Sequence, residues 1–241
     1  MIEDAVLVPD ERPDFGRLTR ALQQGDLHVR HGRVTNLIGL IIEVTGLEAE
    51  VGELCHVEAG RTRPPVPAEV VGFRDSRTLL MPLGEMHGIA PGRSATATGR
   101  QFEIAVGDDL RGRVLDGLGR PLDSLPEPAG VPRPSIASPP DPLDRPHIED
   151  RVSLGVRALD SLVPCGKGQR LGIFAGSGVG KSSLMGMIAR STSADINVIC
   201  LVGERGREVR EFIERSLGSA RERSVVVVAT SDQPALLRIK A

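Results

Sequence analysis

One eight-residue run carries most of the chemistry legible in this chain: Ala175-Gly-Ser-Gly-Val-Gly-Lys-Ser182. Glycines let consecutive backbone N–H groups converge on an anion without side-chain obstruction. A helix opening at the end of such a loop adds its positive end and its unpaired amides. Lys181 can then reach the outer phosphates of a nucleotide, and the Ser182 hydroxyl is placed to ligate Mg2+. The residues expected to hold ATP are therefore Gly176, Ser177, Gly178, Val179, Gly180, Lys181, Ser182 and Ser183. The run departs from G-x-x-x-x-G-K-[ST] only at its first position, where Ala175 stands. A ligand-free glycine-rich turn would have to place one of only three lysines between Gly180 and Ser182 by chance.

A second run, Gly203-Glu-Arg-Gly-Arg-Glu208, follows a continuous apolar segment ending at Val202. In open α/β sheets ligands sit beyond the carboxyl ends of the strands. Glu204 is thus expected to face the γ-phosphate across from Lys181, where a carboxylate can orient and polarise an attacking water. Arg205 could hold that carboxylate or a phosphate oxygen. Lys181, Glu204 and Arg205 are the expected catalytic set. Position alone leaves a second option open for Glu204 and Arg205, a solvated charge run that caps a helix.

The surrounding elements must bring these runs together. Residues 1–26 form a polar arm with a weak helical pattern at Phe15, Leu18 and Leu22. Residues 27–105 read as β: Cys55, Val57 and Ala59 alternate with His56 and Glu58, the period of a half-buried strand. Glycine-containing breaks separate Val34–Thr45, Val66–Gly72 and Arg77–Met81, as in a small barrel or sandwich. Residues 106–148 are a connector. It holds a hairpin at Val114–Leu122, with the turn signal Asp116-Gly117, and then eight prolines in the 21 positions from Pro126 to Pro146. Residues 149–241 switch to alternating strands and helices. Arg170–Ala175, Asn197–Val202 and Ser224–Ala229 are expected strands. Ser182–Arg190 and Glu208–Leu217 are expected helices. The second strand is apolar throughout, as in a sheet covered on both faces.

Composition narrows the functions. The chain of 241 residues has a net charge of -2 and only 2% aromatics, with no Trp or Tyr. That argues against a nucleic-acid partner, which would call for a basic surface or stacking platforms. Cys55, Cys165 and Cys200 have no zinc-like spacing, and the thiols of Cys165 and Cys200 are expected to be packed. No apolar run approaches membrane-spanning length, so attachment to a membrane is expected to be peripheral at most.

Together, AGSGVGKS, GERGREV (203–209) and ATSDQP (229–234), with VGDDLRGRVLDGLGRPLD (106–123) and CGKGQR (165–170), resemble the ATPase of the bacterial flagellar export apparatus. The type III secretion ATPase is its close sibling, and the catalytic β subunit of rotary ATP synthase is a relative. The resemblance spans residues 27–241 and implies a small N-terminal β-barrel followed by an α/β P-loop, RecA-like domain. It further implies a cytoplasmic homo-hexamer that hydrolyses Mg-ATP and works with an export gate, chaperones and exported proteins, with a stator-like regulator at the N-terminal arm. In that family a Walker B aspartate, an arginine finger and an adenine pocket follow beyond Ala241. The P-loop domain is accordingly read as incomplete and the chain as a piece of a longer protein. An arginine finger alone is worth about 10³–10⁵ in rate, so the isolated chain is expected to bind nucleotide weakly and barely hydrolyse it. A non-hydrolysing assembly module and a rotary synthase subunit are the alternatives.

Overall fold

The computed structural model describes residues 30–176 and 178–241, so the polar arm lies outside the described residues. The N-terminal half closes into a barrel of six antiparallel strands: β1 (His31–Ile38), β2 (Ile41–Thr45), β3 (Glu53–Val57), β4 (Val66–Arg74), β5 (Arg77–Pro82) and β6 (Ser94–Gln101). Their order around the barrel is β1-β2-β5-β4-β3-β6, and β6 returns to β1. The alternation seen in the sequence is what fills it: Val34, Ile42, Val44, Cys55, Val57, Val70 and Leu80 all point inward and are buried. Register shifts at Val34/Asn36, Glu53/Cys55 and Val70/Gly72 bend the strands enough for closure.

Beyond the barrel, β7 (Glu103–Val106) pairs antiparallel with β9 (Val131–Pro134) inside the proline-rich stretch. Between them, β8 (Val114–Asp116) leads into the expected turn. Asp116 Oδ1 accepts from the amides of Leu118 and Arg120, and Leu115 bridges to Pro121. The segment does more than form a hairpin: β8 runs parallel to β13 (Ser224–Ala229), which runs parallel to β12 (Asn197–Val202). A short pair, β10 (Arg151–Val152) and β11 (Cys165–Gly166), flanks helix α1 (Arg157–Leu162).

Helix α2 (Lys181–Ser191) and helix α3 (Gly206–Glu211), which continues through a π-helical stretch Phe212–Leu217, cover one face of the β12-β13-β8 sheet. Ala189, Ile199, Leu201, Phe212, Leu217, Val226 and Val228 form that core. Gly186 of α2 makes the close approach possible, since a Cβ there would lie 2.5 Å from the Ser216 carbonyl oxygen. Glu211 and Arg215, one turn apart on this helical stretch, pair at 3.2 Å. Helix α4 (Ala235–Lys240) returns to the barrel, where Leu236 and Leu237 pack with Leu83, Leu118 and Ala229.

Three expectations are corrected. Arg170–Ala175 is not a strand: it is irregular and half-buried to exposed, with Phe174 97% accessible. An apolar run becomes a strand only where a neighbour completes its hydrogen-bond ladder, and none of the described residues does so here. The described residues cover β12 on one face: Ile199 and Leu201 are buried, whereas Val198 and Val202 are exposed. Cys200 lies on that open face and is exposed, while Cys55 and Cys165 are buried. Among the described residues no helix is long and apolar enough to cross a membrane.

Candidate nucleotide-binding site

The glycine-rich loop ends where α2 begins, and the backbone shows why glycine is needed. Gly178 and Gly180 take φ of +76° and +98°, conformations that cost other residues strain. Among the described residues nothing lies within 4 Å of where a Cβ would stand on Gly176, Gly178 or Gly180. These three glycines therefore face open space, as a phosphate cradle needs. The Gly180 carbonyl accepts from Leu184 N at 2.9 Å and so starts the helix, but no side chain of the described residues caps its first amides. Those amides remain available to an anion. Lys181, Ser182 and Ser183 form the first turn and are exposed.

Opposite stands the second run. The Gly203 amide donates to the Ala229 carbonyl at 2.7 Å, and the Ser231 amide donates to the Glu204 carbonyl at 3.1 Å. The ends of β12 and β13 are thus tied together where the sheet meets the loop. In the same turn a hydrogen bond with the Thr230 hydroxyl draws the Asp232 carboxyl below the usual range. A cleft of about 680 Å³ separates the loop from α3, lined by Gly176, Gly178, Gly180, Lys181, Ser182 and Ser183 on one side and by Glu204, Arg207, Glu208 and Glu211 on the other. A smaller recess of about 250 Å³ joins Lys181, Ser182 and Glu204 to Met185, Leu201 and Phe212.

Of the expected residues, Gly176, Gly178, Gly180, Lys181, Ser182, Ser183 and Glu204 meet in this cleft. Val179 is exposed and lines neither cavity. Ser177 lies outside the described residues. Arg205 turns to Glu208, with Nη1 3.3 Å from Oε1, and does not line the cleft. Arg207, Glu208 and Glu211 do line it and escaped the sequence reading. The signal was available: Arg207 and Glu211 stand four apart and Glu208 and Glu211 three apart, which places them on one flank of α3.

For Mg2+ the cleft offers the Ser182 hydroxyl and the carboxylates of Glu204 and Glu208. These are hard oxygen ligands beside an open anion cradle, a donor set that suits a cation shared with phosphates. Among the described residues no cluster of three or more His, Cys, Asp or Glu could hold a metal by itself.

Comparison with known proteins gives a consistent result. The beta-barrel domain model of the ATP synthase alpha/beta family matches residues 34–99, and its nucleotide-binding domain model matches residues 155–241. A flagellum-specific ATP synthase of Bacillus subtilis is 53% identical over 227 residues, covering 93% of this chain and 52% of the relative. A type 3 secretion system ATPase of Xanthomonas euvesicatoria is 47% identical over 214 residues, covering 88% and 48%. The assembled ATPase EscN, solved in complex with its central stalk EscO from the enteropathogenic E. coli type III secretion system, superposes with a TM-score of 0.77 at 44% identity, covering 87% of this chain and 51% of that one. The chain spans about half the length of the relatives it matches.

Proposed function

The chain belongs to the ATP synthase alpha/beta family, and from that premise we propose that its complete protein is the ATP-hydrolysing subunit of a cytoplasmic ring motor driving protein export through a flagellar or type III secretion apparatus. The observation that carries this reading is the cleft in which the glycine-rich loop, Lys181, Ser182 and Glu204 face one another. Residues 176–183 cradle the phosphates through backbone amides and the positive end of α2. The Lys181 ammonium offsets negative charge on the outer phosphates. Ser182 is the hydroxyl ligand this chain offers to the Mg2+ that accompanies the nucleotide and supplies further charge neutralisation. Glu204 accepts a hydrogen bond from water and aims its oxygen at the terminal phosphorus, so that a new P–O bond forms as the bond to ADP breaks. Arg205 holds the carboxylates of this turn, as its contact with Glu208 suggests. Arg207 adds a cation to the same wall.

We assign the remaining roles on the family's pattern. The subunits form a homo-hexamer. The N-terminal arm meets a stator-like regulator. The ring works with an export gate, chaperones and exported proteins at the membrane periphery and has no nucleic-acid partner.

The test separates binding from chemistry. Titration of the 241-residue chain with a fluorescent ATP analogue should show Lys181→Ala weakening binding about 10–100-fold, the worth of one charge-assisted contact, with an unchanged melting temperature. Glu204→Gln should bind ATP as the unmodified protein does, yet lower turnover of the full-length gene product by about 10²-fold or more. Unaltered turnover in that variant removes Glu204 from the reaction.

A further inference from the structure

Arginine dominates the basic residues of this chain, and only Lys167, Lys181 and Lys240 break the pattern. Lys181 has the phosphate cradle to explain it, and Lys167 is a solvent-facing partner of Asp150. Lys240 is different: its side chain is only 6% exposed. A buried ammonium demands a partner. Its Nζ lies 2.5 Å from Oε2 of Glu69, whose side chain is 11% exposed. It also sits 5.9 Å from the centroid of the Phe102 ring. The Glu69 oxygen makes no hydrogen bond to any described residue, so its only compensation is this ionic contact.

The two charges belong to different bodies. Glu69 is on β4 of the barrel, whereas Lys240 is on α4 of the nucleotide-binding half. Helix α4 begins at Ala235, directly after the Thr230–Pro234 turn, and that turn holds the Glu204 main chain through Ser231. The helical backbone from Ala235 to Lys240 is a stiff link between the ion pair and the wall of the cleft. Its apolar side is anchored by Leu236 and Leu237 against Leu83 of the barrel.

We propose that the Glu69–Lys240 ion pair latches the barrel to α4 and thereby fixes the turn that positions Glu204, which makes Glu69 and Lys240 positioning residues for the cleft. This rests on the reading of Glu204 as the residue that orients water. A buried ion pair contributes little net stability over apolar groups of the same shape, but it selects one arrangement of the bodies that carry it. The latch therefore acts on geometry more than on melting.

Amide hydrogen exchange on the 241-residue chain tests it without nucleotide. Three proteins are compared: the unmodified chain, the neutral near-isosteric double variant Glu69→Gln/Lys240→Met, and the charge-swapped Glu69→Lys/Lys240→Glu. The neutral variant should exchange the Ser231 amide at least about tenfold faster while the β13 amides keep their protection. The swapped variant should recover protection to within about threefold of the unmodified chain. Unchanged exchange at Ser231 in the neutral variant overturns the latch. Loss of protection throughout β13 also overturns it, because the pair would then hold the whole fold and not the turn. A swap that leaves β13 protected but fails to restore Ser231 does the same. None of these readouts involves hydrolysis, so they stand or fall independently of Glu204→Gln turnover.

Discussion

Asp123 offers the sharpest quantitative test of how the nucleotide-binding half is held together. Its carboxylate takes a bidentate grip from Arg113, at 2.8 Å from Nε and 3.1 Å from Nη2, and accepts the amides of Val114 and Leu125 at 3.0 and 3.2 Å. The side chains are only 10% and 2% exposed. Because Val114 opens β8, this carboxylate fixes the strand that flanks β13. Asp123→Asn keeps the shape but removes the hydrogen-bonded counter-charge of the buried Arg113 guanidinium and leaves it only the more distant Asp109 carboxylate, a loss of about 3–5 kcal/mol. Against a typical total of about 5–15 kcal/mol that is severe. It should lower the urea midpoint by roughly 1–3 M, read at the Val226 amide, which donates to the Arg113 carbonyl. A pH series isolates the charge. The Arg113 guanidinium, helped by the two amides and opposed by burial, pushes the Asp123 carboxyl from 3.8 down to about 2. The unfolded chain therefore takes up the proton first. The stability due to this shift, about 1–2 kcal/mol after allowance for solvent screening, is complete above about pH 4 and lost as pH falls to about 2. The gap between the unmodified chain and the Asn variant should narrow over that window. An Asn variant with the original midpoint at neutral pH, or a gap that stays constant down to about pH 2, refutes the reasoning.

Two further predictions concern packing and reactivity. Gly186→Val would drive a side chain into the Ser216 backbone, 2.5 Å from its first carbon; it should cost about 1–3 kcal/mol and weaken nucleotide binding by pushing α2 off the Phe212–Leu217 turn. A Gly186→Val chain with unchanged melting temperature and affinity would deny that contact. With a thiol reagent, the folded 241-residue chain should expose Cys200 alone. Cys200 should react slowly at neutral pH because partial desolvation of its thiol, which lies 3.4 Å from the Ala241 carbonyl oxygen, raises its pKa, and Cys55, pushed up to about 12 chiefly by burial and also by Glu53, should stay silent. Fast labelling of two or more thiols before unfolding would contradict the packing described.

Legibility from sequence followed the range of the interactions. The geometry of the glycine-rich loop was readable because its demands are local: Gly178 and Gly180 sit at positive φ, and Lys181 and Ser182 follow within the same turn of chain. The barrel strands were readable because Cys55 and Val57 alternate with His56 at the pleat's own period. Arg170–Ala175 misled because apolarity speaks for burial, while a strand also needs a neighbour's N–H and C=O groups, which no local pattern reports. The same holds for β12: its continuous apolar run does not report which elements cover each face, and the described residues bury Ile199 and Leu201. Arg207 and Glu208 were hidden for a smaller reason: the helix begins at Gly206, two residues before the expected start at Glu208, and so turns Arg207, Glu208 and Glu211 to one flank.

The latch marks the far end of this range. Glu69 looks like any polar residue of an alternating strand, and Lys240 like any basic residue on a helix. Only the packing of α4 against Leu83 removes both from water and makes each the other's condition for being there. Chemistry carried by backbone conformation is therefore written in a few adjacent letters. Chemistry that depends on where those letters are held is written in pairs that meet only after the two halves have folded. Glu204 belongs to both kinds: its place beyond β12 follows from the sequence, but the hydrogen bond from Ser231 that fixes its backbone follows from a turn whose far side is anchored on the barrel.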